Sequence, residues 1–138
     1  MRRALLIVGT LAALAAGPAA GQPADDTAAR CDEAAARYRE LFGRDHTSEP
    51  VKTVLMYKYR FCPEAVTIKA GEKLRYINVD KRTSHSVWLK DAGQPESERV
   101  FGEGVIDVDT RLPNGEHQVL CGPHWQTDRM IGRIIVEK

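Results

Sequence analysis

From residue 53 onward the apolar residues come in short runs, separated by glycine, proline and asparagine. Leu55, Tyr57, Tyr59 and Phe61 alternate with Met56, Lys58 and Arg60, a period of two that predicts a strand. Residues 66–68 predict a second strand, closed by Ala70-Gly71-Glu72. Residues 73–79 predict a third and residues 85–89 a fourth. A polar loop with Gly93 and Pro95 fills residues 90–99. Further strands are expected at 105–108, at 117–121 after the turn Pro113-Asn114-Gly115, and at 131–137. Short strands punctuated in this way bury their apolar faces only by packing sheet on sheet, so the expected fold is an all-β sandwich or barrel. The chain has 138 residues, which fits one domain, and no internal repeat is visible.

The residues before this region read differently. Arg2 and Arg3 precede an apolar stretch at 4–16, then Gly17, Pro18 and small residues to Gly21. A basic start, an apolar run of about 7–15 residues and small residues at a cut site describe a secretory signal peptide. The run is short for a membrane span, which needs roughly 20 apolar residues. Residues 1–21 are therefore expected to be removed, with cleavage near Ala20 or Gly21, leaving no stable membrane anchor. Residues 25–42 follow a helical period: Cys31, Ala34, Ala35, Tyr38, Leu41 and Phe42 share one face. Asp25 or Asp26 can cap the start, and Gly43 can end it. A polar linker over residues 44–50 follows. The expected division is 1–21 signal peptide, 22–50 helical extension and linker, and 51–138 β domain.

Composition narrows the function. After leader removal 18 Lys and Arg face 19 Asp and Glu, a net charge of −1. That balance argues against a nucleic-acid partner, which calls for a strongly basic surface. Charged residues are 28% and hydrophobic residues 43%, which excludes a disordered polar chain.

Chemistry concentrates in Cys121-Gly122-Pro123-His124, followed by Met130. A thiolate and an imidazole three residues apart can be aimed at one metal ion by a tight loop. Met130 adds a thioether, and His85 can close the site from a separate strand. Two His, one Cys and a weak axial Met form the ligand set of a type 1 copper centre. Cysteine, histidine and zinc also suit one another, but a Met in the fourth place is a poor zinc ligand. The Cys-Gly-Pro-His run lacks the second cysteine that thiol–disulfide exchange requires. His46, in the polar linker, and His117, on the strand leading to Cys121, are read as solvated and structural or surface residues.

Here the chain resembles the cupredoxins of the plastocyanin, pseudoazurin and amicyanin type. The resemblance runs over roughly residues 57–138. It is carried by Phe61-Cys62-Pro63-Glu64-Ala65-Val66-Thr67-Ile68-Lys69-Ala70-Gly71-Glu72, by Ile77-Asn78-Val79-Asp80, by Ser84-His85-Ser86-Val87, and by the closing pattern Met130-Ile131-Gly132-Arg133-Ile134-Ile135-Val136. It implies a Greek-key β-sandwich, here with an N-terminal helical extension. It further implies His85, Cys121 and His124 as equatorial copper ligands and Met130 as the axial one. Ser86 then ties the ligand strand to the ligand loop. The loop between His124 and Met130 is one residue longer than in plastocyanin-like members, and Gln126 is the rival axial donor.

The ligand assignment bears on the cysteines. Three are present, and export into an oxidising compartment favours pairing two of them. With Cys121 on the metal, Cys31 pairs with Cys62 and joins the extension to the sandwich. Such a link closes a loop of about thirty residues, worth roughly 3 kcal/mol in the chain-entropy model. The functional expectation is a periplasmic, monomeric one-electron carrier that is not an enzyme. It would hold one copper ion and meet a cytochrome, dehydrogenase or oxidase transiently. The alternative is copper delivery or resistance, which favours exposed Met and His clusters. Copper catalysis at an open site needs more histidines than four.

Overall fold

The structure is a computed structural model and describes residues 26–138. The expected signal peptide at 1–21 lies outside the described residues. Among the described residues no helix is long and apolar enough to cross a membrane.

The first element is a helix, α1 (Thr27–Phe42). Its start is capped by position rather than by a side chain. Asp26 makes no cap bond and instead accepts from Arg30 Nε at 2.6 Å. Gly43 ends the helix with φ of 68° and donates its N–H to Arg39 O, the left-handed closure that glycine adopts without a Cβ penalty. The linker is ordered. A 3₁₀ turn at His46–Ser48 is capped by Asp45, whose Oδ1 accepts from Thr47 N–H at 2.9 Å. Glu49 then accepts from both Arg44 and the Tyr38 hydroxyl. His46, expected in solvent, is half buried beside the Tyr38 ring.

Seven strands follow: β1 (Lys52–Tyr57), β2 (Arg60–Cys62), β3 (Ala65–Lys69), β4 (Leu74–Asn78), β5 (Val105–Val108), β6 (Gly115–Leu120) and β7 (Ile131–Glu137). One sheet has the order β2-β1-β4-β5 and the other β3-β7-β6. Both are mixed. β1 pairs parallel with β4, β3 parallel with β7, and the remaining pairs are antiparallel. This is a β-sandwich with a helical N-terminal extension.

The main core lies between the sheets, with Val54, Met56, Tyr76, Ile68, Ile134 and Val119 among its members. A second cluster lies on the outer side of the four-stranded sheet, where Ala34 and Tyr38 of α1 cover Leu55, Ile77 and Val79. The strand β1 is therefore covered on both faces, and four consecutive residues, Thr53 to Met56, are buried. The Cys31–Cys62 disulfide pins the helix to this sheet.

Two predicted strands differ. The period-two run at 55–61 is not one strand but a hairpin. It turns at Lys58 and Tyr59, both with positive φ (44° and 62°), where Tyr57 pairs with Arg60. The run at 85–89 makes only isolated bridges, His85 to Val100 and Trp88 to Leu120. Val100 belongs to neither sheet and Leu120 is the last residue of β6, so the segment finds no continuous ladder.

Candidate metal centre

Two segments build the site. His85 follows the loop at 79–84 and is anchored by paired backbone bonds to Val100, N–H to O at 3.0 Å and O from N–H at 2.9 Å. Cys121 follows β6 directly, and its N–H donates to Met130 O at 3.1 Å. The segment between them winds tightly. The His124 and Trp125 N–H groups donate to Cys121 O, and the Asp128 and Met130 N–H groups donate to His124 O. This turn carries His124 back over Cys121.

The result is one group of three donors. Cys121 Sγ lies 3.6 Å from His85 Nδ1 and 3.4 Å from His124 Nδ1, and all three atoms fall within 4.8 Å of one another. His85 and Cys121 are fully buried and His124 is half buried. Cys121 takes no part in a disulfide. Burial pushes its thiol up, opposed by the Ser86 N–H, which donates to Sγ at 3.5 Å. Burial, and then the neighbouring His85, hold His124 below the usual imidazole range. Both causes favour the neutral His124 imidazole, the form that ligates metal.

Ser86 links the two segments as the resemblance implied. Its Oγ accepts from Gly122 N–H at 2.9 Å and donates to Glu96 Oε1 at 2.7 Å. The Glu96 carboxylate lies against Gly122, and a Cβ there would fall 1.9 Å from Glu96 Oε1 and displace that side chain. Met130 is fully buried at the end of the loop, within the same core cluster as Cys121. Gln126 is exposed.

No family model and no curated protein matches the sequence. Solved structures do match. Amicyanin from Paracoccus versutus (Thiobacillus versutus) superposes with a TM-score of 0.54 at 25% identity, over 66% of this chain and 87% of that one. An oxidized amicyanin mutant gives a TM-score of 0.56 at 18% identity, over 67% and 87%. A Cu(I) amicyanin mutant gives 0.55 at 18%, with the same coverage. The chain has the cupredoxin fold.

In this cupredoxin fold the His85, Cys121 and His124 group fits a single type 1 copper site. The fit rests on the donor chemistry: a soft thiol sulfur between two imidazole nitrogens, with Cys121 and Met130 in the main core. A hard-cation site would need several oxygen donors. The nearest buried carboxylate, Asp80, sits instead behind His85, on the ring nitrogen that faces away from Cys121.

Two neighbours of this site were not singled out from the sequence. Asp80 Oδ2 lies 2.6 Å from His85 Nε2. The Tyr59 ring lies edge-on to both histidines, 4.9 Å from His124 and 6.4 Å from His85 between centroids. Asp80 stands five residues before His85, a spacing that no periodicity marks. Tyr59 was legible only as a strand residue, because the hairpin that swings it over the site carries no Asn-Gly signal. Trp125 is half buried, with Lys90 Nζ 5.4 Å from its ring.

Proposed function

We propose that this protein is a periplasmic one-electron carrier with a type 1 copper centre, held by His85, Cys121 and His124 with Met130 as the axial ligand. The observation that carries this reading is the buried Cys121 thiol facing two imidazole nitrogens from separate segments. The full burial of Met130 and the exposure of Gln126 favour the thioether as the axial donor. Copper, when bound, supplies a Cu(II)/Cu(I) couple.

The chain's own residues supply the rest. Cys121 gives the thiolate, and the Ser86 N–H stabilises its negative charge. Ser86 Oγ and the Cys121–Met130 backbone bond hold the ligand loop against the ligand segment, so the donors stay close to one arrangement. His124 is the donor nearest the surface and forms the electron port, partly shielded by Tyr59. Docking there is expected to be small and transient, as electron-transfer encounters usually are. We read the protein as a monomer that is not an enzyme, and its partners as a cytochrome, dehydrogenase or oxidase.

The test is a visible absorption and EPR spectrum of the purified exported chain after Cu(II) loading, repeated with Cys121→Ala. An intense thiolate-to-copper band with narrow copper hyperfine splitting, lost in the variant, is expected. A colourless protein with an ordinary type 2 signal would overturn the carrier reading in favour of copper delivery.

A further inference from the structure

We propose that Asp80 is a positioning residue for His85: its carboxylate takes the Nε2–H, turns Nδ1 toward Cys121, and places a buried negative charge behind the ligand. This rests on the copper reading above and adds to it a residue that sets the balance between the two oxidation states.

The geometry is a short chain of contacts. His85 is fully buried, and each ring nitrogen faces a protein side chain. Nδ1 faces Cys121 Sγ at 3.6 Å, and Nε2 faces Asp80 Oδ2 at 2.6 Å. An imidazole that donates from Nε2 has its lone pair on Nδ1, so the carboxylate selects the tautomer whose free lone pair points into the donor group. Asp80 is itself held. Its Oδ2 accepts from Lys58 N–H at 3.0 Å, and its own N–H donates to Asn78 Oδ1 at 2.8 Å. Asn78 is fully buried and donates from Nδ2 to Thr83 O and Val100 O, each at 2.8 Å. Its amide thus ties both ends of the His85 anchor to the loop that bears Asp80. The backbone packs tightly here as well, since a Cβ at Gly102 would fall 2.7 Å from Asp80 O.

The consequence follows from charge. A carboxylate hydrogen-bonded to a ligand imidazole raises its basicity. A more electron-rich ligand favours Cu(II) over Cu(I), because the higher positive charge gains more from it. Asp80 at 8% exposure is poorly screened by water, so the effect reaches the metal.

Two substitutions in the exported chain separate charge from geometry. Asp80→Asn keeps an oxygen for Nε2–H but loses the charge. Asp80→Ala loses both. The reduction potential of the copper-loaded proteins is measured by voltammetry, and the His85 tautomer of the metal-free proteins by nitrogen-15 NMR. For Asp80→Asn a roughly tenfold loss of preference for Cu(II) is expected, the low end of the about 10–100-fold by which such partners change metal affinity, here falling on the Cu(II) form. It reads as a rise of about 59 mV. For Asp80→Ala the metal-free His85 is expected to lose its uniform Nε2–H tautomer. A blue Asp80→Asn protein with the wild-type potential would overturn the charge effect, and an unchanged tautomer in Asp80→Ala would overturn the positioning role. Wild-type protein without a thiolate-to-copper band would instead sink the copper reading itself. A purely structural Asp80 would lower Tm in both variants and move neither readout.

Discussion

At the residue scale, the close contacts explain glycines that the sequence only marks. Gly132 stands in the closing Met-x-Gly pattern. A Cβ there would meet Glu64 O at 2.8 Å and Phe61 Cδ2 at 3.0 Å. Glu64 O is fixed in place, since it accepts from Arg133 N–H at 2.8 Å. Neither neighbour can yield without moving backbone or core. Gly132→Ala is therefore expected to cost roughly 1–3 kcal/mol, as overpacking does. Chemical denaturation of the metal-free protein checks it, and an unchanged midpoint would refute the close approach. Lys58 and Tyr59 hold the opposite kind of constraint. Both sit at positive φ without being glycine, a conformation that costs about 1–2 kcal/mol per residue. Their side of the turn supplies the Asp80 hydrogen bond and the ring beside His124, so the strain falls where the site is assembled.

At the element scale, α1 is a third layer of the sandwich rather than a loose appendage. Its apolar face covers Leu55, Ile77 and Val79, and the disulfide ties Cys31 to Cys62 at the end of β2. The sequence separation of 31 gives a loop-closure stabilisation of roughly 3–4 kcal/mol. Replacing both cysteines by alanine should remove about that much, measured by denaturation. The same variant should still give the thiolate-to-copper band, because the helix covers the outer face of β1 while the metal ligands lie with the inner core. Loss of the band on breaking the link would show that α1 supports the site directly.

At the scale of the whole molecule, acid sensitivity is spread over surface carboxylates. The backbone and side-chain bonds from Thr47 hold Asp45 down to about 2. The Arg111 guanidinium and N–H do the same for Asp109, also about 2. Folded pKa values below the unfolded value of about 3.9 add stability that is present above that pH and lost as pH falls toward 2. The double variant Asp45→Asn, Asp109→Asn should therefore have a lower Tm than wild type at neutral pH. The gap should close between about pH 4 and pH 2. A gap that stays constant down to pH 2 would show that neutral hydrogen bonding, not charge, is what these residues contribute.

Much of this molecule was legible as sequence. The helix stood out through its three-and-four spacing and Gly43, and the sandwich through its short punctuated strands. The donor group was legible because Cys121 and His124 sit in one tight loop and His85 in a distinctive local sequence. The disulfide followed from assigning Cys121 to the metal. What period and spacing could not show was set by burial on two sides and by turns without a residue signature. Thr53 to Met56 do not alternate because α1 covers one face and the core the other. The Lys58-Tyr59 turn lacks the glycine that would announce it, so a hairpin reads as one strand. His85 to Leu89 looks like a strand, yet it finds only isolated bridges, one of them to a residue outside both sheets. Asp80 and Tyr59 reach the histidines from a loop and a turn. Local sequence thus determined which elements form and which donors exist. Only tertiary packing decided what stands behind and over those donors, because such contacts join residues that no local period connects.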